Sequence, residues 1–498
     1  MRNPLSGENS TMHEDFVDLR PLAFRAMAAA GFATHPASDV QNEMQAVDEN
    51  SVLTSEANAV QDLRDLLWSS IDNPESRDLD QVEFAKREVN GAIRLMVGIA
   101  DVDAFVPKDS ATDRFAHQNT TSIYTGIETF PMLPRRLSEA ATSLLEGEER
   151  LAVVVDLLIE PDGAVQSSTV YRALVRNQAK LNYEEVGAWL EGHGDSLPEF
   201  ERLPSLAEQV RLQDETAHRL LDLRQKAGAL DFETIEASPI VVNGTVMDIR
   251  VNAKNRARSL IESFMIAANN TVAELMHTRG ITSIQRVVRT PERWSRIVEI
   301  AAGLGETLPP TPDSRALSQF LVHQRAADPL HFPDLSLSVV KLLGAGEYTV
   351  VNKGAVEEGH FGLAVLGYTH STAPNRRYAD LVIQRLLKST TASAPPPYTE
   401  SELTEIATHC NERATAARKV ERRMRKAAAA VLLHRRIGDV FDALVTGASN
   451  KGTYVRLLNP PAEGRVLRNE AGLDVGERVR VRLLGANPEN GFIDFEAL

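Results

Sequence analysis

Cysteine is almost missing from this chain of 498 residues, with Cys410 the only one. A lone thiol excludes an internal disulfide framework and any zinc site built from several cysteines. Nothing around Cys410 supports a nucleophile, so it reads as a core or helix-face residue. Long apolar runs are missing too. Uncharged stretches such as Ala427–Leu433 fall far short of the roughly 20 residues that span a bilayer, which leaves no membrane partner. The opening residues, MRNPLSGENSTMHEDF, lack the apolar core of a signal peptide, so a cytoplasmic protein is expected. Positive charge is in deficit: 54 Lys and Arg stand against 69 Asp and Glu, a net charge of −15. Taken alone, that balance disfavours a nucleic-acid partner. The GAG at 344–346 lacks the Lys-Ser/Thr of a P-loop and reads as a turn. No repeat of 20–50 residues appears.

What is present is ordinary globular composition, 43% hydrophobic and 25% charged, in a length suited to roughly two to four domains. Charge is unevenly spread. No Lys or Arg lies between Arg25 and Arg64, whereas 411–436 holds nine of them against two Glu. A basic helical stripe therefore sits in an acidic chain. Residues 17–30 and 39–47 read as two short helices split by Gly31 and Pro36, an arrangement open to a helix-turn-helix or a plain helical hairpin. The stretch from about 65 to 175 is strand-rich, with apolar β-branched runs at Ile93–Ala100 and Leu151–Ile159. Residues 204–228 and 256–278 carry helical periodicity. Proline-rich breaks fall at 308–312 and 393–397, and a long helix over 400–436 follows the second. The last 60 or so residues give five short strands punctuated by Gly, Asn or Pro, the pattern of a small Greek-key OB barrel.

Three aspartates, Asp72, Asp78 and Asp80, fall within SSIDNPESRDLDQ. In extended backbone Asp78 and Asp80 share a side, and Asp72 lies across a proline-containing turn. Oxygen-only ligands converging from a loop suit Mg²⁺, with Mn²⁺ as the alternative, and such ions serve phosphodiester chemistry. An acidic surface turn is the competing reading, and Asp101 with Asp103 is an equally spaced rival pair. The second constellation is YTHSTAPNRRY. There the adjacent Arg376 and Arg377 follow a proline turn, with Thr369, His370 and Ser371 upstream and Tyr378 after them. That set suits a phosphate clamp, because arginine meets phosphate oxygens in a planar fork; a solvated helix start is the plainer reading. His360 and His370 flank a strand-like run and lack metal partners, so they read as structural.

Together these segments resemble the RNase II (RNB) family of exoribonucleases, over residues 60–498. The motifs stand in order: SIDNPESRDLDQ, IADVDAFVPKDSATDRFA, FPMLPRRLSE, AKLNYEEV, IESFMIAAN and HFGLAVLGYTHSTAPNRRYADLVIQRLL. The resemblance implies an α+β chain: a short helical N-terminal region at 1–60, an RNB catalytic domain of mixed sheet and helices at 61–436, and an S1-type OB barrel at 437–498. It implies hydrolytic shortening of single-stranded RNA from the 3′ end to nucleoside 5′-monophosphates, in RNA turnover or processing. The protein would use Mg²⁺, need no small-molecule cofactor and act as a monomer. Asp72, Asp78 and Asp80 match three of the family's four motif aspartates. The fourth position is Gln81, which offers an oxygen but no charge. Arg376 matches the arginine at the scissile phosphate, and Arg377 and Tyr378 continue that motif. Tyr124 matches a base-stacking tyrosine, while Tyr183 and Glu262 match, more loosely, residues that read the ribose hydroxyl. The aromatic expected near 230–242 has no clear counterpart, Phe232 being only a neighbour, and a late-helix glutamate is replaced by Ala417. About 60 acidic, mostly helical residues stand where the family's paired cold-shock domains are usual. In the barrel, Phe441, Lys451 and Tyr454 are candidate RNA contacts, with Phe441 and Tyr454 equally open to a core role. The rival function is a catalytically weak RNA-binding protein of the same fold, because of Gln81.

Overall fold

The structure is a computed structural model that describes residues 17–56, 59–233, 236–242, 244–252, 254–355, 358–450 and 452–498. A mixed sheet lies at its centre. The strands Trp68–Asp72, Gln81–Arg87, Ile93–Ala100 and Glu149–Ile159 pair in succession. The long strand Val165–Asn182 pairs antiparallel with Glu149–Ile159 along its first part and parallel with Trp68–Asp72 along its last. The five strands thus form a closed circuit. The run Ile93–Ala100 is a strand as its composition predicts. Ile93, Leu95, Val97 and Ile99 are buried on one face; on the other Arg94 is exposed and Met96 half-buried, whereas Gly98 and Ala100 are buried, so the strand is covered on both faces only toward its end.

Helices Pro204–Ala227, Arg256–Thr278 and Tyr378–Thr391 pack onto this sheet through Leu206, Val210, Leu260, Phe264, Ile383 and Leu386. The second starts where the Asn255 side chain accepts from the Arg258 N–H, satisfying a free amide of the first turn. The 34-residue helix Glu400–Leu433 follows the proline break, as expected, and opens with a Thr399–Glu402 capping box. It ties the molecule together. Leu403, Ile406 and Cys410 belong to the main core, Val420 and Met424 to a second cluster, and Ala430 and Leu433 to a third inside the C-terminal barrel.

That barrel closes through Val440–Ser449, Gly452–Leu457, Glu463–Arg468, Arg478–Asn487 and Phe492–Ala497, the five strands the sequence predicts. Phe441 points into its core, which decides between the two roles left open for it. Tyr454 is half-buried, with the Lys426 ammonium 5.4 Å from its ring centroid. Lys451 lies outside the described residues.

The N-terminal region holds three helices rather than two: Arg20–Ala29, Ser38–Ala46 and Glu49–Glu56. The first buries Leu22, Ala26 and Met27 against Ile123, Phe130 and Met424, and the second sends Val40 and Met44 into the main core. Both spend their apolar faces on the rest of the molecule, so they form neither a separate module nor a free DNA-reading pair. Among the described residues no helix is long and apolar enough to cross a membrane.

Candidate active site

The aspartate segment 72–80 runs between two sheet strands, and its neighbours pin it at both ends. Lys180 Nζ donates to the Pro74 and Ser76 carbonyls at 3.0 and 2.6 Å, and Arg258 Nη2 donates to Asn73 Oδ1 at 3.2 Å. Further on, Ser143 Oγ donates to the Arg77 carbonyl and accepts from the Leu79 N–H. This fixed backbone sends the three carboxylates to three different partners. Asp72 Oδ1 accepts from Ser76 Oγ at 2.8 Å and from the Asn73 N–H at 2.7 Å. Asp78 Oδ2 accepts from the Tyr124 hydroxyl at 2.7 Å. Asp80 is 2% exposed; its Oδ1 accepts from the Asn375 N–H at 3.0 Å and its Oδ2 from Arg376 Nε at 3.1 Å. The three remain close enough for the Asp78 charge to act on both of the others. Burial raises the Asp72 carboxyl above its ordinary value despite its two donors. Burial pushes Asp80 up to about 7, against the opposing pull of the Arg376 charge.

Arg376 reaches Asp80 because the loop before helix Tyr378–Thr391 is tied at every step. The Ser371 N–H and Oγ both donate to Asn269 Oδ1, the Ala373 N–H donates to Asp380 Oδ1, and Thr142 Oγ1 donates to Asn375 Oδ1. Arg377 is held back by Asp380 at 2.7 Å. Only the Arg376 side chain, 42% exposed, faces outward from the carboxylates. Tyr124 stands beside it, 43% exposed as a residue.

A cavity of about 570 Å³ is lined in part by Tyr183, Phe232, Lys254, Arg258, Glu262 and His360, and it meets the aspartate segment through Arg258, which bonds Asn73, and Tyr183, on which Asp72 acts. The Arg258 guanidinium lies 4.5 Å over the Tyr183 ring, and Lys254 bridges Glu262 and Asp231 at 2.8 and 3.0 Å. Phe232, which the sequence leaves as a mere neighbour, shares this cavity with the two expected ribose readers. Burial lowers His360 to about 4, so it is neutral at physiological pH.

One further residue escaped the sequence reading. Glu83 is 0% exposed, and neither of its carboxylate oxygens has a hydrogen-bond partner. Burial raises the Glu83 carboxyl well above its ordinary value, the nearby Asp72 adds to that rise, and both carboxyl groups act on the Tyr183 hydroxyl. The available signal was its place two residues after Gln81, on the same face of the strand Gln81–Arg87. Among the described residues no three carboxylate or imidazole groups converge on one point. Mg²⁺ does not require three: it keeps waters and takes phosphate oxygens, with one or two carboxylates from the protein. Asp72 beside an unpartnered buried carboxylate, with Asp78 and Asp80 next to it, is a donor set that fits such an ion.

Comparison with known proteins identifies the two domains. The model for the RNB domain matches residues 60–393, and the model for the RNase II-type exonuclease C-terminal S1 domain matches 439–498. The chain belongs to the RNB family. It is 30% identical to Ribonuclease R 1 of Lactococcus lactis over 92% of its own length and 59% of that protein's. It is 33% identical to Ribonuclease R of Thermotoga maritima over 81% of its own length and 57% of that protein's. The chain therefore spans less than three fifths of each of these curated relatives. A structure of Mycoplasma genitalium RNase R in complex with ribose-methylated single-stranded RNA superposes with a TM-score of 0.85 at 23% identity, covering 97% of this chain and 78% of that one.

Within the RNB domain the other predicted residues divide by their surroundings. Thr369 Oγ1 donates to the Ile284 carbonyl, Ser371 is spent on Asn269, and His370 bonds the Tyr348 hydroxyl at 2.9 Å. Tyr378 is buried against the His117 ring. These four hold the Arg376 loop from behind instead of lining the open side. Asp101 is closed off by Arg172 and Lys388, and Asp103 by Arg385 and Lys388, so the rival pair is an internal ion network. Gln81 is buried at the start of its strand. Ala417 is buried in the second cluster, next to the N-terminal helix. On the basic stripe, Arg413 donates to the Ala30 and Gly31 carbonyls, whereas Arg422, Arg425 and Lys426 line a cavity of about 330 Å³ with Arg456 of the barrel.

Proposed function

We propose that the protein is a divalent-metal-dependent 3′-to-5′ exoribonuclease that hydrolyses single-stranded RNA to nucleoside 5′-monophosphates. The observation that carries this reading is the bond of Arg376 to Asp80, with Asp72 within reach of the same guanidinium charge and Asp78 acting on both carboxylates, a cation placed beside carboxylates in a family whose relatives bear the name ribonuclease R.

In this reading residues 61–436 carry the chemistry and 437–498 grip the substrate. RNA passes the cationic cavity lined by Arg422, Arg425 and Lys426, where paired phosphates make binding salt-dependent, while Arg456 at its wall is held by Asp334. The terminal bases stack on the exposed Tyr124 ring, a sequence-tolerant contact. Tyr183 and Glu262 meet the ribose, whose 2′-hydroxyl separates RNA from DNA. Asp72, Asp78, Asp80 and the Gln81 amide oxygen would hold Mg²⁺ or Mn²⁺, which would supply Lewis-acid charge and a more acidic water. Arg376 keeps its Nε on Asp80 and turns its terminal nitrogens to the scissile phosphate, offsetting the charge that builds in the transition state. Stacked bases favour stepwise, processive shortening.

The test is a 5′-labelled single-stranded RNA incubated with Mg²⁺, with EDTA, and with the Asp80→Asn variant, beside DNA of the same sequence. Shortening from the 3′ end with release of 5′-monophosphates, absent in EDTA and in the variant, supports the reading. RNA retained in a binding gel but left intact would instead establish a non-catalytic RNA binder with a site weakened at Gln81.

A further inference from the structure

The mechanism above leaves Glu83 unused, although it is the least satisfied charged group near the site. Its side chain is fully buried and both oxygens lack a donor. A buried carboxylate without hydrogen bonds or counter-charge is strongly disfavoured. The surrounding groups do not relieve it. Gln213 Nε2 donates to the Glu83 backbone carbonyl and to Ser69 Oγ instead of to the carboxylate, and the Gln213 Oε1 is itself buried without a partner. Arg258 is directed to Asn73 and Glu184, and Arg376 to Asp80. The groups that do sense Glu83 are Asp72 and the Tyr183 hydroxyl, both at the aspartate site. Two residues earlier on the same strand face, Gln81 contributes oxygen without charge.

We propose that Glu83 is a carboxylate of the divalent-cation site, acting with Asp72 and supplying the negative charge that the neutral Gln81 leaves out. The inference rests on the cation-dependent reading above, and it goes beyond the four motif positions of that reading. A hard cation beside Asp72 gives the Glu83 oxygens the partner they lack, and the ion exchanges water for carboxylate oxygens at little geometric cost. The competing arrangement is a neutral, purely structural Glu83.

Mn²⁺ alone is the probe, titrated into the full chain and read by the loss of the free-ion electron paramagnetic resonance signal, with no RNA present. Wild type is compared with E83Q, E83L and the double variant Q81D/E83L. E83L buries an apolar side chain in a buried site, and its melting temperature in EDTA reports whether the fold is kept. The expected result is Mn²⁺ binding at least tenfold weaker in E83Q and E83L, recovered in Q81D/E83L. Unchanged affinity in either single variant overturns the proposal, and so does a loss that Q81D leaves unrepaired or a wild type that takes up no Mn²⁺. RNA cleavage by wild type in the same preparation separates the two readings. A wild type that cleaves RNA while E83L keeps full Mn²⁺ affinity sinks the Glu83 role alone. A wild type that binds Mn²⁺ through Glu83 yet leaves RNA intact sinks the exonuclease reading and keeps the cation site.

Discussion

Arg376 donates through Nε to Asp80 Oδ2 at 3.1 Å, and the amide of the preceding residue donates to the other oxygen of the same carboxylate at 3.0 Å. One aspartate thus fixes the backbone of Asn375 and the side chain of Arg376, almost three hundred positions away. The contact leaves the terminal nitrogens of the guanidinium free to meet a phosphate.

Replacing Arg376 by alanine should therefore lower kcat on single-stranded RNA by about 10²–10³-fold, the usual effect of deleting one transition-state donor. The fold should survive, because the side chain is 42% exposed. Lysine at the same position should recover only part of the loss, since it cannot hold Asp80 and a phosphate in one planar fork. Single-turnover kinetics with circular dichroism check both points.

Asp80 makes stability depend on pH. Its native carboxyl titrates near 7 against an ordinary value of 3.8. Between those values the native state keeps a proton that the unfolded chain has released. The contribution of Asp80 to stability is therefore largest at low pH, falls by about 1.4 kcal/mol per pH unit across that window, and levels off above it. Asp80→Asn removes the titration. In EDTA, the stability of wild type minus that of the variant should decline from pH 4 to 7 and stay level beyond. Urea denaturation across that range measures it, and a flat difference refutes the assignment.

Tyr124 joins two roles that substitution can separate. Tyr124→Ala should weaken RNA binding by roughly 1–3 kcal/mol, the value of one stacked base. Tyr124→Phe keeps the ring but removes the 2.7 Å bond to Asp78, so it should bind RNA like wild type and turn over more slowly. Binding measured in EDTA and cleavage measured in Mg²⁺ distinguish them.

Glu262 is oriented by Lys254 at 2.8 Å and faces the cavity shared with Tyr183. Glu262→Ala should lower kcat/KM for RNA by roughly 10- to 100-fold, the loss of one charge-assisted hydrogen bond, with little change for any residual action on DNA. Parallel assays on matched RNA and DNA strands report the ratio.

Several elements were legible in the sequence because their signals are local. The apolar β-branched run at Ile93–Ala100 needs only its own side chains to read as a buried strand, and the five punctuated segments after 437 announce a barrel through turn chemistry. The long helix after the prolines is set by its capping box and its periodicity. The aspartates and Arg376 were legible as types at fixed spacing, and so was the missing charge at Gln81.

Tertiary structure decided which of these residues serve the site. Asp101 and Asp103 have the same spacing as Asp78 and Asp80, but Arg172, Arg385 and Lys388 close over them. Thr369, His370, Ser371 and Tyr378 lie in the arginine motif, yet packing turns them inward, and the open side is left to Arg376. Phe232 came to share a cavity with Tyr183 and Glu262, and Phe441 turned into the barrel core, only through the neighbours that long-range folding supplied. Glu83 is the clearest case. A glutamate in a strand carries no mark of its partners in the local sequence. Whether its charge is met depends on residues such as Asp72, Tyr183 and Gln213, which the closed circuit of strands and the packed helices bring to it. Local sequence sets backbone preference and residue type; electrostatic environment is a property of distances that only the folded chain fixes.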